Sequence, residues 1–199
     1  MWHRPRWLAR SMLKVMNRSM NPFFRPLFSI IPVFVISVSV VLALPSLAQE
    51  AKLIDSFGDW EAYRESDGGK AVCYIGSQPK NARGKYKSRG EVYVLVTHRP
   101  AEKSLGVVSI KAGYTYEQAS EVDVSIGETT FKLFTDAGHA FAYDDKADKA
   151  LIKAMARGAR MVIRGTSSRG TLTTDTYSLK GFNVALKAIS KACKVKGKR

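Results

Sequence analysis

Turn signals break this chain about every ten residues from Gly58 to Gly170, and the stretches between them are short and often alternating. Such punctuation leaves little room for long helices and favours many short antiparallel strands joined by tight connections. Gly58-Asp59 precedes strand-like residues 60–65, and Asp67-Gly68-Gly69 precedes residues 72–77. Residues 92–97 (VYVLVT) are apolar on both parities, which predicts a central strand with both faces covered. Residues 107–112 come next. Val122, Val124 and Ile126 then alternate, Gly127-Glu128 offers a two-residue turn with glycine first, and Phe131 and Leu133 resume the alternation, which is a hairpin signature. Asp136-Ala137-Gly138 turns the chain into residues 139–143, and the turn at 166–170 separates strands over 160–165 and 172–178. Trp60, directly after its turn, is assigned to the interior.

Two segments follow a helical period instead. Asp145 is placed as an N-cap with Asp148 three residues on; Ala147, Leu151, Ile152 and Met155 form an apolar stripe, and Gly158 suits a left-handed stop. Phe182, Ala185, Leu186, Ile189, Ala192 and Cys193 recur at three- and four-residue steps, placing Cys193 on the buried face of a final helix. The expected architecture is an antiparallel β-sandwich decorated by two short helices. The alternative is a more open α+β sheet with both helices on one face.

The first 48 residues set the compartment. Arg4, Arg6, Arg10, Lys14, Arg18 and Arg25 precede an apolar run over 27–44, no acidic residue occurs before Glu50, and Ser46-Leu47-Ala48 supplies small residues for a peptidase. That is the layout of a secretory signal cleaved after Ala48, leaving one domain over 49–199 and a periplasmic, outer-envelope or secreted location. An uncleaved membrane anchor is the alternative. Beyond residue 48, 26 basic residues face 17 acidic ones, a net +9, which favours anionic partners. Cys73 and Cys193 would meet an oxidising compartment, where an even pair normally closes. Free thiols and metal binding are the alternatives, the latter without ligand spacing.

Candidate chemistry is sparse. Ser167 or Ser168 with His98 or His139 could furnish a hydrolase, but the serines sit in a turn, where serine is common for local hydrogen-bonding reasons. Asp144, Asp145 and Asp148 suit the positive end of a helix dipole. No calcium loop and no glycine-rich phosphate cradle is present, and no metal or cofactor is expected. Residues 80–89 stand out. Lys80, Arg83, Lys85, Lys87 and Arg89 surround Tyr86 with no acid among them, and Asn81, Gly84, Ser88 and Gly90 mark a loop. This is the candidate anion- or partner-binding segment; a merely solvated loop is the plainer reading. It lacks the interleaved aromatics of a single-strand nucleic-acid platform, and nucleic acid is no natural partner of an exported chain. Membrane contact is expected only through the leader or peripheral electrostatics.

Phe57-Gly58-Asp59-Trp60, then Cys73 with Gln78-Pro79, resembles the opening of the invasion-associated locus B family. Gly165-Thr166-Ser167-Ser168-Arg169-Gly170-Thr171, Thr176-Tyr177-Ser178-Leu179-Lys180-Gly181-Phe182, Ala185-Leu186 and Cys193 resemble its ending. The resemblance implies an exported bacterial envelope protein with an immunoglobulin-like β-sandwich, no established activity or cofactor, and a binding or host-interaction role. The family name comes from a factor that aids entry into host red cells, though the family also occurs in bacteria that invade nothing. Cys73 and Cys193 match the family's cysteine positions, while Tyr63 stands where many relatives carry a further cysteine. A structural role in the envelope is the alternative function, with the serine hydrolase behind it.

Overall fold

A computed structural model describes residues 51–195, all within the unit Gln49–Arg199. The leader expected over 1–48 and the tail residues 196–199 lie outside the described residues. The described residues form β1 (Lys52–Phe57), β2 (Trp60–Asp67), β3 (Lys70–Ser77), β4 (Asn81–Gly84), β5 (Tyr93–Arg99), β6 (Ser104–Lys111), β7 (Glu121–Ile126), β8 (Thr129–Asp136), β9 (His139–Phe141), α1 (Asp145–Arg157), β10 (Arg160–Thr166), β11 (Leu172–Ser178) and α2 (Phe182–Ala192). The protein is mainly β, and the strands make one antiparallel sheet in the order β1-β2-β3-β5-β6-β9-β8-β7-β10-β11-β4.

That order forces the sheet to fold over. β3 ends at Ser77 and β4 begins at Asn81, yet β4 lies at the far edge of the sheet. Three intervening residues reach roughly 14 Å at most. The two ends of the sheet must therefore approach each other, giving two layers around a shared interior. Ile75, Val94, Val96, Val108 and Ile110 line one layer, and Val122, Val124, Met161, Ile163 and Tyr177 line the other. An immunoglobulin-type sandwich has two separate sheets; here the three-residue β9 bridges β6 and β8, so the hydrogen bonding runs unbroken from layer to layer.

The alternation expected for the hairpin over 122–133 is realised. Val122, Val124 and Ile126 are buried, and Gly127 has φ +60° as its turn position requires. Both faces of β5 are largely covered between β3 and β6. Trp60 is fully buried; its indole N–H donates to the Ser178 carbonyl at 3.0 Å, and its ring meets Phe182 edge-on at 5.0 Å. This contact joins the first hairpin to the end of β11. α2 lies against β1, β2 and β3 through Phe182, Ala185 and Ile189, and α1 covers β6 with Leu151 and Met155.

Local details depart from the expectations at four places. Asp144, not Asp145, caps α1: its backbone is extended, so it stands outside the first turn and its Oδ1 accepts the Ala147 N–H at 2.7 Å. Asp148 turns into the core and accepts the Val108 N–H at 2.9 Å. Gly158 is not left-handed (φ −84°); it is glycine because a Cβ there would press on Ile126 and Leu179. Finally, Asn81–Gly84 is a strand and not loop, because its backbone finds the open edge of β11 despite having no strand-forming side chains.

Candidate functional site

The basic segment begins as this edge strand. Asn81 pairs with Thr176 and Arg83 with Thr174, and all four residues of β4 are exposed. Gly84 faces inward, where a Cβ would collide with Tyr86 and Thr173. Just before the strand, the Lys80 N–H donates to the Thr176 carbonyl, and Lys80 Nζ pairs with Asp59. The Lys80 ammonium and a hydrogen bond from Ser178 hold the Asp59 carboxyl below its usual range. Arg83 Nε donates to Asn81 Oδ1 at 3.2 Å. Lys85 and Lys87 are exposed, and among the described residues no carboxylate lies within ion-pair distance of Arg83, Lys85 or Lys87.

Arg89 departs from the expected exposed cluster. Its side chain is only 5 % exposed. It forms a bidentate pair with Asp175, both N–H···O distances 2.6 Å, and donates through Nε to the Ala112 carbonyl at 2.5 Å. Its guanidinium lies over the rings of Tyr114 (4.9 Å) and Tyr86 (5.6 Å). A buried arginine is tolerable only with such complete pairing. The five cations are thus divided: Arg89 anchors the segment inside, Lys80 ties its start, and Arg83, Lys85 and Lys87 face solvent. Asp175 was invisible in the sequence reading. The one signal for it is an acid on the buried parity of β11, between inward Thr173 and Tyr177.

The sulfur atoms of Cys73 and Cys193 are bonded, joining β3 to the end of α2 across a sequence separation of 120. Both cysteines are buried. In register beside Cys73 lies His98, also buried.

His98 meets a serine, though not one of those expected. Its Nε2 is 3.2 Å from Ser190 Oγ, and its Nδ1 is 2.9 Å from the Gly106 amide nitrogen. An amide N–H can only donate, so Nδ1 is the acceptor and the ring proton resides on Nε2. The Nε2–H then donates to Ser190 Oγ, whose own hydrogen goes to the Leu186 carbonyl at 2.8 Å. The imidazole therefore has no lone pair facing the serine, the reverse of a nucleophile–base pair. Burial depresses the His98 pKa and keeps the ring neutral. Ser167 Oγ accepts the N–H groups of Arg169 and Thr171 and so holds its own turn together. Ser168 is exposed, and neither turn serine hydrogen-bonds to a histidine. His139 stacks on Phe141 instead. A groove between the β7–β8 turn and α1, lined by Ile126, Thr129, Ala154, Lys153 and Arg157, contains no serine or histidine. Among the described residues no three His, Cys, Asp or Glu side chains are grouped to hold a metal ion.

A family model described as Invasion associated locus B (IalB) protein matches residues 60–190. Neither a curated protein nor a solved structure matches the chain.

Proposed function

We propose, from the premise that this chain belongs to the invasion-associated locus B family, that it is exported to the bacterial envelope and acts by binding an anionic partner. The observation that carries this reading is the solvent-facing trio Arg83, Lys85 and Lys87 on and beyond an exposed sheet edge, held in place by the buried Arg89–Asp175 pair. A segment anchored at both ends presents its charges with less ordering cost than a free loop. The leader pattern and the buried disulfide support export. The histidine and serine geometry supports binding over hydrolysis, and the family is not known as a family of enzymes. The envelope or host-surface partner is a protein or an anionic ligand.

Fractionation of the native host followed by crosslinking and mass spectrometry tests this. The trimmed chain should appear in the periplasm or envelope, crosslinked through residues 80–87, with yield falling as salt rises. Neutralising Arg83, Lys85 and Lys87 should abolish that salt dependence, while Arg89 is left intact to preserve the anchor. An untrimmed chain in the cytosol, or crosslinks indifferent to the charge changes, would overturn the reading.

A further inference from the structure

The cationic surface is wider than the basic segment. Alternation puts Asn81 and Arg83 of β4, Leu172, Thr174, Thr176 and Ser178 of β11, and Arg160, Val162, Arg164 and Thr166 of β10 on one outer face. None of these residues is acidic; the Asp59 carboxylate reaches Ser178 at the edge of the face and is paired there with Lys80. Arg83, Thr174 and Arg164 occupy one cross-strand row, and Arg160 lies opposite Ser178 at the other end. Strand spacing separates the Cα atoms of Arg83 and Arg164 by roughly 10 Å, and strand rise separates Arg160 from Arg164 by roughly 13 Å. Asp123 is the register neighbour of Arg164 on β7, but its Oδ1 is taken by Lys132 at 2.6 Å. The charges on this face are all arginine, the side chain whose planar fork matches phosphate, and they are interspersed with hydroxyls.

We propose that the outer face of β4, β11 and β10 is a docking surface for an anionic phospholipid bilayer, held through Arg83, Arg160 and Arg164. The assignment rests on the envelope location proposed above and names the partner's chemistry. Three arginines spread over an open sheet face do not enclose one small anion; they match an extended array of phosphates. Charge complementarity supplies the attraction. Leu172, 59 % exposed at one end of the face, suits the apolar–polar boundary of a bilayer better than a wholly polar polyanion.

The test is sedimentation of the exported, trimmed chain (residues 49–199, a compact unit by itself) with vesicles of phosphatidylcholine alone and of phosphatidylcholine mixed with phosphatidylglycerol. The six basic residues of the leader would themselves favour the mixed vesicles, so their removal lets the difference report the charged face. Binding should be stronger to the mixed vesicles and should weaken with salt. Each arginine near an anionic surface contributes about fivefold in affinity, so Arg160→Gln with Arg164→Gln should cost the phosphatidylglycerol-dependent part roughly 25-fold. Both residues are exposed, so the variant's melting temperature should be unchanged. Equal binding to both vesicles, full affinity in the double variant, or retention on a sulfated polysaccharide without vesicle binding would each overturn the proposal. Neither substitution touches residues 80–87, so vesicle binding that is unchanged in the double variant, with envelope crosslinks through that segment intact, would sink this inference alone.

Discussion

His98 sits in the core with Nδ1 already accepting the Gly106 amide, so adding a proton to that nitrogen breaks a buried hydrogen bond and introduces a charge far from water. Burial accordingly lowers its pKa from the ordinary 6.5. A histidine depressed in the folded state binds fewer protons there than in the unfolded chain. Its contribution to stability is therefore complete above pH 6.5 and is lost as pH falls below that value, at up to about 1.4 kcal/mol per pH unit. Asp148 works in the opposite sense. Burial raises its carboxyl from 3.8, so its contribution is present below 3.8 and is lost as pH rises through the folded value. Half-buried His139 shares the sign of His98, so the comparison with a variant isolates the residue. Urea midpoints of the wild type should fall between neutral pH and pH 5, and His98→Asn should flatten that fall. Parallel curves for the two proteins would show that His98 is not the group responsible.

Arg89 and Asp175 act at the scale of elements, because together they fasten the β4–β5 connection to β11. Removing one partner leaves the other buried and unpaired, at a cost of about 3–5 kcal/mol. Replacing both with apolar residues of similar volume removes that penalty. Arg89→Met should thus unfold at markedly lower urea, and Arg89→Met with Asp175→Leu should recover most of the loss. Equal destabilisation in the single and double variants would mean that the pair's other contacts, to Ala112 and the two tyrosine rings, dominate. This pair also marks the limit of what residue patterns convey. The hairpin of β7 and β8 was legible because its own side chains alternate. Strands β1 and β4 were not: β1 is almost wholly exposed, with a bulge between Leu53 and Asp55, so no face is apolar, and β4 contains no strand-forming residue. Each exists because a neighbouring strand offers backbone partners, which is information held 3 to 12 residues away for β1 and 89 to 95 residues away for β4. For the same reason the sequence marked Arg89 as a surface charge, its partner lying 86 residues further on.

Across the whole molecule the closure depends on contacts between the chain's two ends, and several converge near one place. Trp60 bonds to Ser178, Asp59 to Lys180, Lys80 to Thr176, and Cys73 is joined to Cys193. Cysteine count and helical periodicity made the last of these legible from the sequence; the backbone contacts beside it carry no residue signature. The hydrogen bonds form only in the folded state, whereas the disulfide also restricts the unfolded chain. On the chain-entropy account a closed loop of more than 100 residues stabilises by about 4–5 kcal/mol. For a domain of this size that corresponds to roughly 10–15 °C in melting temperature. Cys73→Ser with Cys193→Ser should melt lower by about that amount in the absence of reductant and should no longer respond to it. The wild type should approach the double variant once fully reduced. Because α2 covers Trp60 through Phe182 and is tied to β3 by the sulfur bond, loss of the bond should also raise hydrogen exchange along α2 before that of β7 and β10. Uniform exchange across both layers would instead mean that the disulfide stabilises the molecule only through its unfolded state.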